Sequence, residues 1–339
     1  MFSMEETIYI PIAEMKLVFH SILIKNNFSE TTAAACADIF TANSIDGVYT
    51  HAVNRFPRFV QNAKDGHVKP GAVPSLLHSF GGIEQWDGNL GPGPLNAVQA
   101  TERAMHLSQK NGIGCVALAN TNHWMRGGYY GWQAAKKGFV FIGWTNTIAN
   151  MPAWNAMDSK LGNNPLVVAI PFNDEAIVLD MAMSQFSYGS MEQAVIKGEH
   201  LPVSGGYDKE GNLTTNPAEI LASNRPIAIG YWKGAGLSLL LDILATILSS
   251  GLSTKEISKQ RSEHALSQVF IAIDITKLSN YSSISSLINN IILDYQQSIP
   301  TDNSKNIKYP GERVLETRKK NSLQGIPVLK SIWQGIQNL

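Results

Sequence analysis

Five short apolar runs constrain this chain more than any other feature: Ile113–Ala119, Phe139–Thr145, Leu166–Ile170, Ile177–Met181 and Val269–Ile275. Each is too short for a helix with its own core, and each is apolar at nearly every position. Runs of that kind read as strands covered on both faces. Helix-period segments at Leu95–Lys110 and Gly131–Lys137 fall between them. The centre of the chain is therefore expected to be a sheet with helices packed on it, a mixed α/β (α+β) fold.

The terminal thirds have a different period. Met15, Phe19, Ile22 and Leu23 share one helical face, which ends at Asn26–Asn27. Ser29 is placed to cap a second helix running to about Asn43. A loop from Asp46 to His51 leads into a third helix ending near Asp65–Gly66, and further helices are expected at Ile284–Gln297 and Val328–Gln337. The segment 197–217, rich in Gly, Asp, Asn and Pro, reads as a surface excursion.

Charge removes several classes of function. Lys plus Arg number 27 and Asp plus Glu number 27, so the 339-residue chain is formally neutral. Neutrality takes away the electrostatic case for a nucleic-acid or membrane-surface partner and favours self-association. The first residues carry acids and lack the basic and apolar regions of a signal peptide. The most apolar stretch, Gly234–Leu248, contains Asp242 and is short for a bilayer. A cytoplasmic protein is the expectation. Cys36 and Cys115 lie in apolar patterns without ligand spacing and read as core residues.

Gly112-Ile-Gly114-Cys-Val-Ala117 matches a dinucleotide-binding fingerprint by letters only. That fingerprint needs a strand before it and a helix after it, whereas here a helix precedes and a strand follows, so the run reads as a helix-to-strand turn. Gly230 to Gly236, with Lys233, leads into an apolar helix. It is either an anion site at a helix start or a packing turn. His51 and Arg55, four residues apart, offer a proton donor titrating near pH ~6.5 and a carboxylate-binding fork. Such a pair also occurs on ordinary helix surfaces. If Pro57 opens the helix, both residues precede it. His123, with Arg126 and two glycines beside it, follows a strand end, where active-site residues gather. It too has a plain alternative, a histidine buried beneath Trp124. The other six histidines have no metal-ligand spacing, and no HExxH, GxSxG or P-loop is present.

Five motifs then occur in order along nearly the whole chain: GVYTHAVNRFPRF at 47–59, NHWMRGGYYGWQAA at 122–135, LDMAMSQFSYG at 179–189, GYWKGAGLSLLLD at 230–242 and YPGER at 309–313. Together they resemble the type II malate/L-lactate dehydrogenase family. The resemblance implies a non-Rossmann fold, with a sheet-containing NAD(P)-binding domain at 80–276 and a mainly helical domain built from 1–79 and 277–339. It implies a homodimer that reduces a 2-keto acid with NADH or NADPH and uses no metal. It assigns the active-site histidine to His51, the second pocket histidine to His123 and a substrate-facing arginine to Arg55. Its cofactor contacts fall on Thr147, on Ile177, Val178, Leu179, Asp180, Met181 and Ala182, on Trp232 and Lys233, and on Gly311, Glu312 and Arg313. The family's usual Ser-His-Gly is here Thr50-His51-Ala52. The HWMRGG segment differs from malate- and ureidoglycolate-type relatives and favours a branch acting on a keto sugar acid.

Overall fold

The computed structural model describes residues 6–302 and 306–339. Seven strands form the main sheet: β1 (Ser75–Phe80), β2 (Ile83–Asp87), β3 (Ile113–Thr121), β4 (Phe139–Thr145), β5 (Leu166–Phe172), β6 (Glu175–Met181) and β7 (Leu266–Asp274). Their order across the sheet is β1-β2-β3-β7-β4-β5-β6. β2 and β3 run parallel and every other neighbouring pair is antiparallel. The sheet is thus mixed, not the parallel doubly wound kind.

Helices α1 (Ile12–Lys25), α2 (Glu30–Ile45) and α3 (Phe56–Lys64) precede the sheet, and α4 (Gly93–Asn111), α5 (Gly128–Lys136), α6 (Tyr188–Lys197) and α7 (Trp232–Ser249) are interspersed with it. Helices α8 (Tyr281–Gln296), α9 (Glu312–Gln324) and α10 (Lys330–Gln337) follow β7. Alternation along β3 explains the layering. Val116 and Leu118 join the core beneath α4 and α5, while Cys115 and Ala117 join the core beneath α7. Both faces are covered, which is why these strands read as continuous apolar runs. Both cysteines are buried and free, and burial pushes the Cys115 thiol up to about 11.

A third core is built from the two ends of the chain. Met15, Phe19, Phe40, Phe56 and Phe59 pack with Val328, Trp333 and Ile336, and Phe19 stacks on Phe56 at 4.1 Å between ring centres. Strand pairing of Thr7–Ile10 with Ile326–Leu329 closes it. Met125, from the loop after β3, also enters this core. The loop carrying His123 is therefore gripped between the helical and sheet layers.

Gly112 ends α4 with φ 80°, and β3 begins at the next residue. The fingerprint-like run is thus the expected helix-to-strand turn. Strand β1 straddles the expected boundary at residue 79 and pairs into the sheet. The apolar helix is longer than expected: α7 spans 18 residues, enough by length and composition to cross a membrane. Its inner side packs Ala235, Leu241 and Ala245 into the core. Asp242 accepts the Asn146 amide at 2.9 Å and the Thr254 N–H at 2.8 Å.

Candidate active site

Helix α2 ends at Ile45, and two 3₁₀ turns, Tyr49–His51 and Val53–Arg55, follow before α3 starts with Pro57 in its first turn. His51 and Arg55 therefore precede the helix, as proline's preference for the first turn requires. The turn is tied down from a distant part of the chain. Asp46 pairs with buried Arg126 and accepts from Arg318 of α9 at 2.6 and 3.0 Å. Asn321 donates to the Ile45 carbonyl at 2.9 Å and to the Tyr49 hydroxyl at 3.0 Å. Gly47, at φ 80°, leaves room for the Thr317 methyl, which a Cβ there would meet at 2.6 Å. Ala52, where the family has glycine, sits at φ −135° with its methyl fully buried.

His123 follows β3 and faces His51, the two rings near-parallel with centres 5.7 Å apart. Met125, held at φ 65°, turns its backbone N–H onto His123 Nδ1 at 2.9 Å. A backbone amide only donates, so Nδ1 is an acceptor and the proton of neutral His123 is on Nε2. His51 Nδ1 lies 3.1 Å from the Thr50 hydroxyl. Burial, then Arg55, then Arg126, lowers the His51 pKa to about 4. His123 is pushed well below the usual histidine value by burial, Arg55, His51 and Arg58. The expected titration near neutrality is thereby corrected: in the ligand-free protein both imidazoles are neutral at pH 7.

Opposite them, Asp180 near the end of β6 accepts the Gly128 N–H at 2.7 Å. Surrounding protein raises its pKa, while Arg126 and the Gly128 N–H pull it down. A Cβ at Gly128 would lie 2.8 Å from the carboxylate, so glycine is required for that approach. Thr147 donates its N–H to Asn164 at 3.0 Å and its hydroxyl to Asn163 at 3.2 Å. His51, His123, Thr147, Asn163, Asp180 and Ala182 line one cleft of about 220 Å³. Hydroxyl, amide and carboxylate groups on one wall and imidazoles on the other fit a ribose and carboxamide beside a small polar substrate.

Arg55 is not among the residues that line this cleft, but its charge acts on both histidines. Its guanidinium turns to Glu263, 3.7 Å away, whose other oxygen accepts the Ile148 N–H at 3.2 Å. The remaining motif residues are more scattered. Val178 is buried and donates its N–H to the Pro310 carbonyl at 3.0 Å, while Leu179 is exposed. Gly311, at φ 95°, lies directly against the Val178 backbone. Ile177 and Met181 lie on the same edge strand. Glu312 accepts from the Tyr309 N–H at 3.1 Å and from Gln296 at 3.2 Å. Arg313 faces a separate open hollow beside Lys308. Trp232 and Lys233 lie exposed at the start of α7, the ammonium 5.9 Å from the indole centre, and are not part of the cleft wall.

The start of α7 stood open between an anion site and a packing turn. The N–H groups of Lys233, Gly234 and Ala235 already donate to Gly230, Ile229 and Tyr231 carbonyls at 3.2, 3.0 and 3.1 Å. A Cβ at Gly234 would strike the Ile229 carbonyl. This start of α7 is a packing turn, not a set of free anion donors. Arg126 is buried and pairs with Asp46. Sequence reasoning missed Asp46, Asn163 and Glu263. Asn163 had a signal, the polar run Gly162-Asn-Asn-Pro165 just before an apolar strand. Glu263 had none, since only the fold brings residues 55 and 263 together.

Comparison with known proteins agrees with this geometry. The model of the malate/L-lactate dehydrogenase family matches residues 10–337. The chain belongs to that family and is an oxidoreductase. A 2,3-diketo-L-gulonate reductase of Klebsiella pneumoniae strain 342 is 44% identical over 328 residues, 96% of this chain and 98% of that protein. Its Escherichia coli K12 (DH10B) counterpart is 45% identical over the same lengths. Among solved structures, a malate dehydrogenase from Entamoeba histolytica superposes with TM-score 0.92 at 24% identity, over 98% of this chain and 97% of that one. A sulfolactate dehydrogenase from Methanocaldococcus jannaschii does so with TM-score 0.88 at 26% identity, over 97% and 95%.

Proposed function

We propose that this protein reduces the C2 carbonyl of 2,3-diketo-L-gulonate to give 3-keto-L-gulonate, using NADH or NADPH, with His51 as the proton donor. Relatives bearing that name at 44–45% identity over 96% of the chain support the substrate. The observation that carries the assignment of the donor is the Met125 N–H on His123 Nδ1. Protonating His123 there would break that bond, so His123 serves as a neutral Nε2–H donor that orients the keto oxygen or a neighbouring hydroxyl. His51 carries no such lock; its Nδ1 meets only a hydroxyl, which donates or accepts as needed.

When bound, the reduced nicotinamide supplies the hydride. Thr147, Asn163 and Asp180 would hold its ribose and carboxamide, and Ile177–Ala182, Trp232, Lys233 and Gly311–Arg313 are proposed as further cofactor contacts. Arg55 takes the substrate carboxylate. Placing that anion on Arg55 cancels one of the charges that depress the His51 pKa. The imidazole then gains a proton as substrate binds and delivers it to the forming alkoxide. A homodimer in the cytoplasm goes with this reading. The outer face of α7, where Leu239, Leu240, Ile243 and Ile247 are exposed and carry no charge, supports the dimer.

Two assays test the reading. NADH and NADPH oxidation is followed with 2,3-diketo-L-gulonate, oxaloacetate, pyruvate and a ureidoglycolate-derived keto acid. The diketo sugar acid should give the highest kcat/KM, and a preference for another keto acid overturns the substrate. Cofactor fluorescence titration separates an enzyme from a sugar-acid binder that retains the fold: absence of cofactor binding favours the binder.

A further inference from the structure

The charges around the cleft do not simply add up to a cationic pocket. Arg126 is consumed by Asp46, which Arg318 also shares. Asp180 places a carboxylate on the facing wall. Arg55 acts on both histidines of the cleft, and Glu263 stands 3.7 Å from it with its side chain only 9% exposed. That separation is too long for a tight bidentate pair, so Glu263 restrains the guanidinium without saturating it. The Glu263 carboxylate is itself fixed by the Ile148 N–H, one residue beyond Thr147 of the cleft wall. It is a rigid negative charge behind the substrate-binding cation.

We infer that Glu263 is a positioning residue that sets substrate class. It aims Arg55 and removes part of its charge, so the site accepts a keto monocarboxylate and rejects a keto dicarboxylate. A second carboxylate entering this cleft meets the carboxylate of Asp180 on its wall and the charge of Glu263 behind Arg55. Like charges brought together in a partly buried site disfavour the dicarboxylate. This inference rests on the proposed keto-acid reduction and adds a reason for its selectivity.

Glu263→Gln keeps an acceptor for the Ile148 N–H and removes the charge. The expected result is a rise of about tenfold in kcat/KM for oxaloacetate relative to 2,3-diketo-L-gulonate, expressed through KM. Glu263→Asp, which restores the charge, should return the ratio toward wild type. An unchanged ratio, or a KM raised equally for both substrates, overturns the inference. If Glu263→Gln does not fold, the wild-type enzyme carries the test: tartronate should inhibit more weakly than its monocarboxylate counterpart glycolate, and stronger inhibition by tartronate overturns the idea. A wild-type enzyme that reduces neither keto acid with either cofactor refutes the proposed function itself. Reduction of keto acids without charge discrimination refutes only the role of Glu263.

Discussion

His51 ties the chemistry of the site to its stability. Its pKa of about 4 in the ligand-free protein means that the unfolded chain, with the histidine near 6.5, binds the proton more tightly. Folding stability is therefore present in full above pH 6.5 and falls as pH drops toward 4, by about 3 kcal/mol for this one group. His123 acts in the same direction. Urea unfolding of wild type and His51→Gln at pH 7.5 and pH 5 should show a smaller loss in the variant. An equal loss would mean that His51 is not held neutral. Histidine type and neighbourhood were legible in the sequence, but the protonation state was not. Spacing put Arg55 near His51, whereas burial and the Met125 N–H depend on contacts between the loop after β3 and the helical core.

At the scale of elements, the turn carrying His51 depends on partners far along the chain. Asp46 holds Arg126 and Arg318 together, joining the end of α2, the His123 loop and α9. Asp46→Ala leaves Arg126 buried without its counterion, which should cost about 3–5 kcal/mol and lower activity through a loosened His51 turn. Denaturation and kcat measured on the same preparation check both effects. Gly128→Ala should cost catalytic efficiency more than stability, because the added methyl meets the Asp180 carboxylate at 2.8 Å. Cofactor KM is the readout, and an unchanged value would remove Asp180 from the cofactor site. The buried strands β3, β4 and β7 were readable because both of their faces are covered. β1 was missed because all six of its residues are exposed and show no alternation. α9 was missed because it is polar around most of its surface and is anchored by Arg318 over Trp132 at 4.7 Å and by Asn321, not by an apolar stripe. α7 was placed correctly by its apolar run, but the backbone bonding that closes its N-terminus could not be read from a glycine count.

For the whole molecule, the outer face of α7 and its assembly are linked. Ile243→Glu combined with Ile247→Glu puts charge on an exposed apolar face and leaves the buried Leu241 and Ala245 untouched. If two copies meet there, light scattering should show monomers that retain their fold. A dimer that persists would move the interface elsewhere. Trp232 and Lys233 begin this helix, so cofactor affinity measured on the same variant shows whether assembly and cofactor binding are coupled. The central claim remains that His51, neutral in the empty cleft, is charged by substrate binding and then gives up its proton. The most direct test is the pH dependence of 2,3-diketo-L-gulonate reduction by wild type and His51→Ala. For wild type, kcat/KM should break well below pH 6.5 and kcat at a higher pH, and His51→Ala should be slower by ~10²–10⁴ with neither break. A His51→Ala enzyme with near-normal turnover and an unchanged profile would contradict it and pass the role to His123.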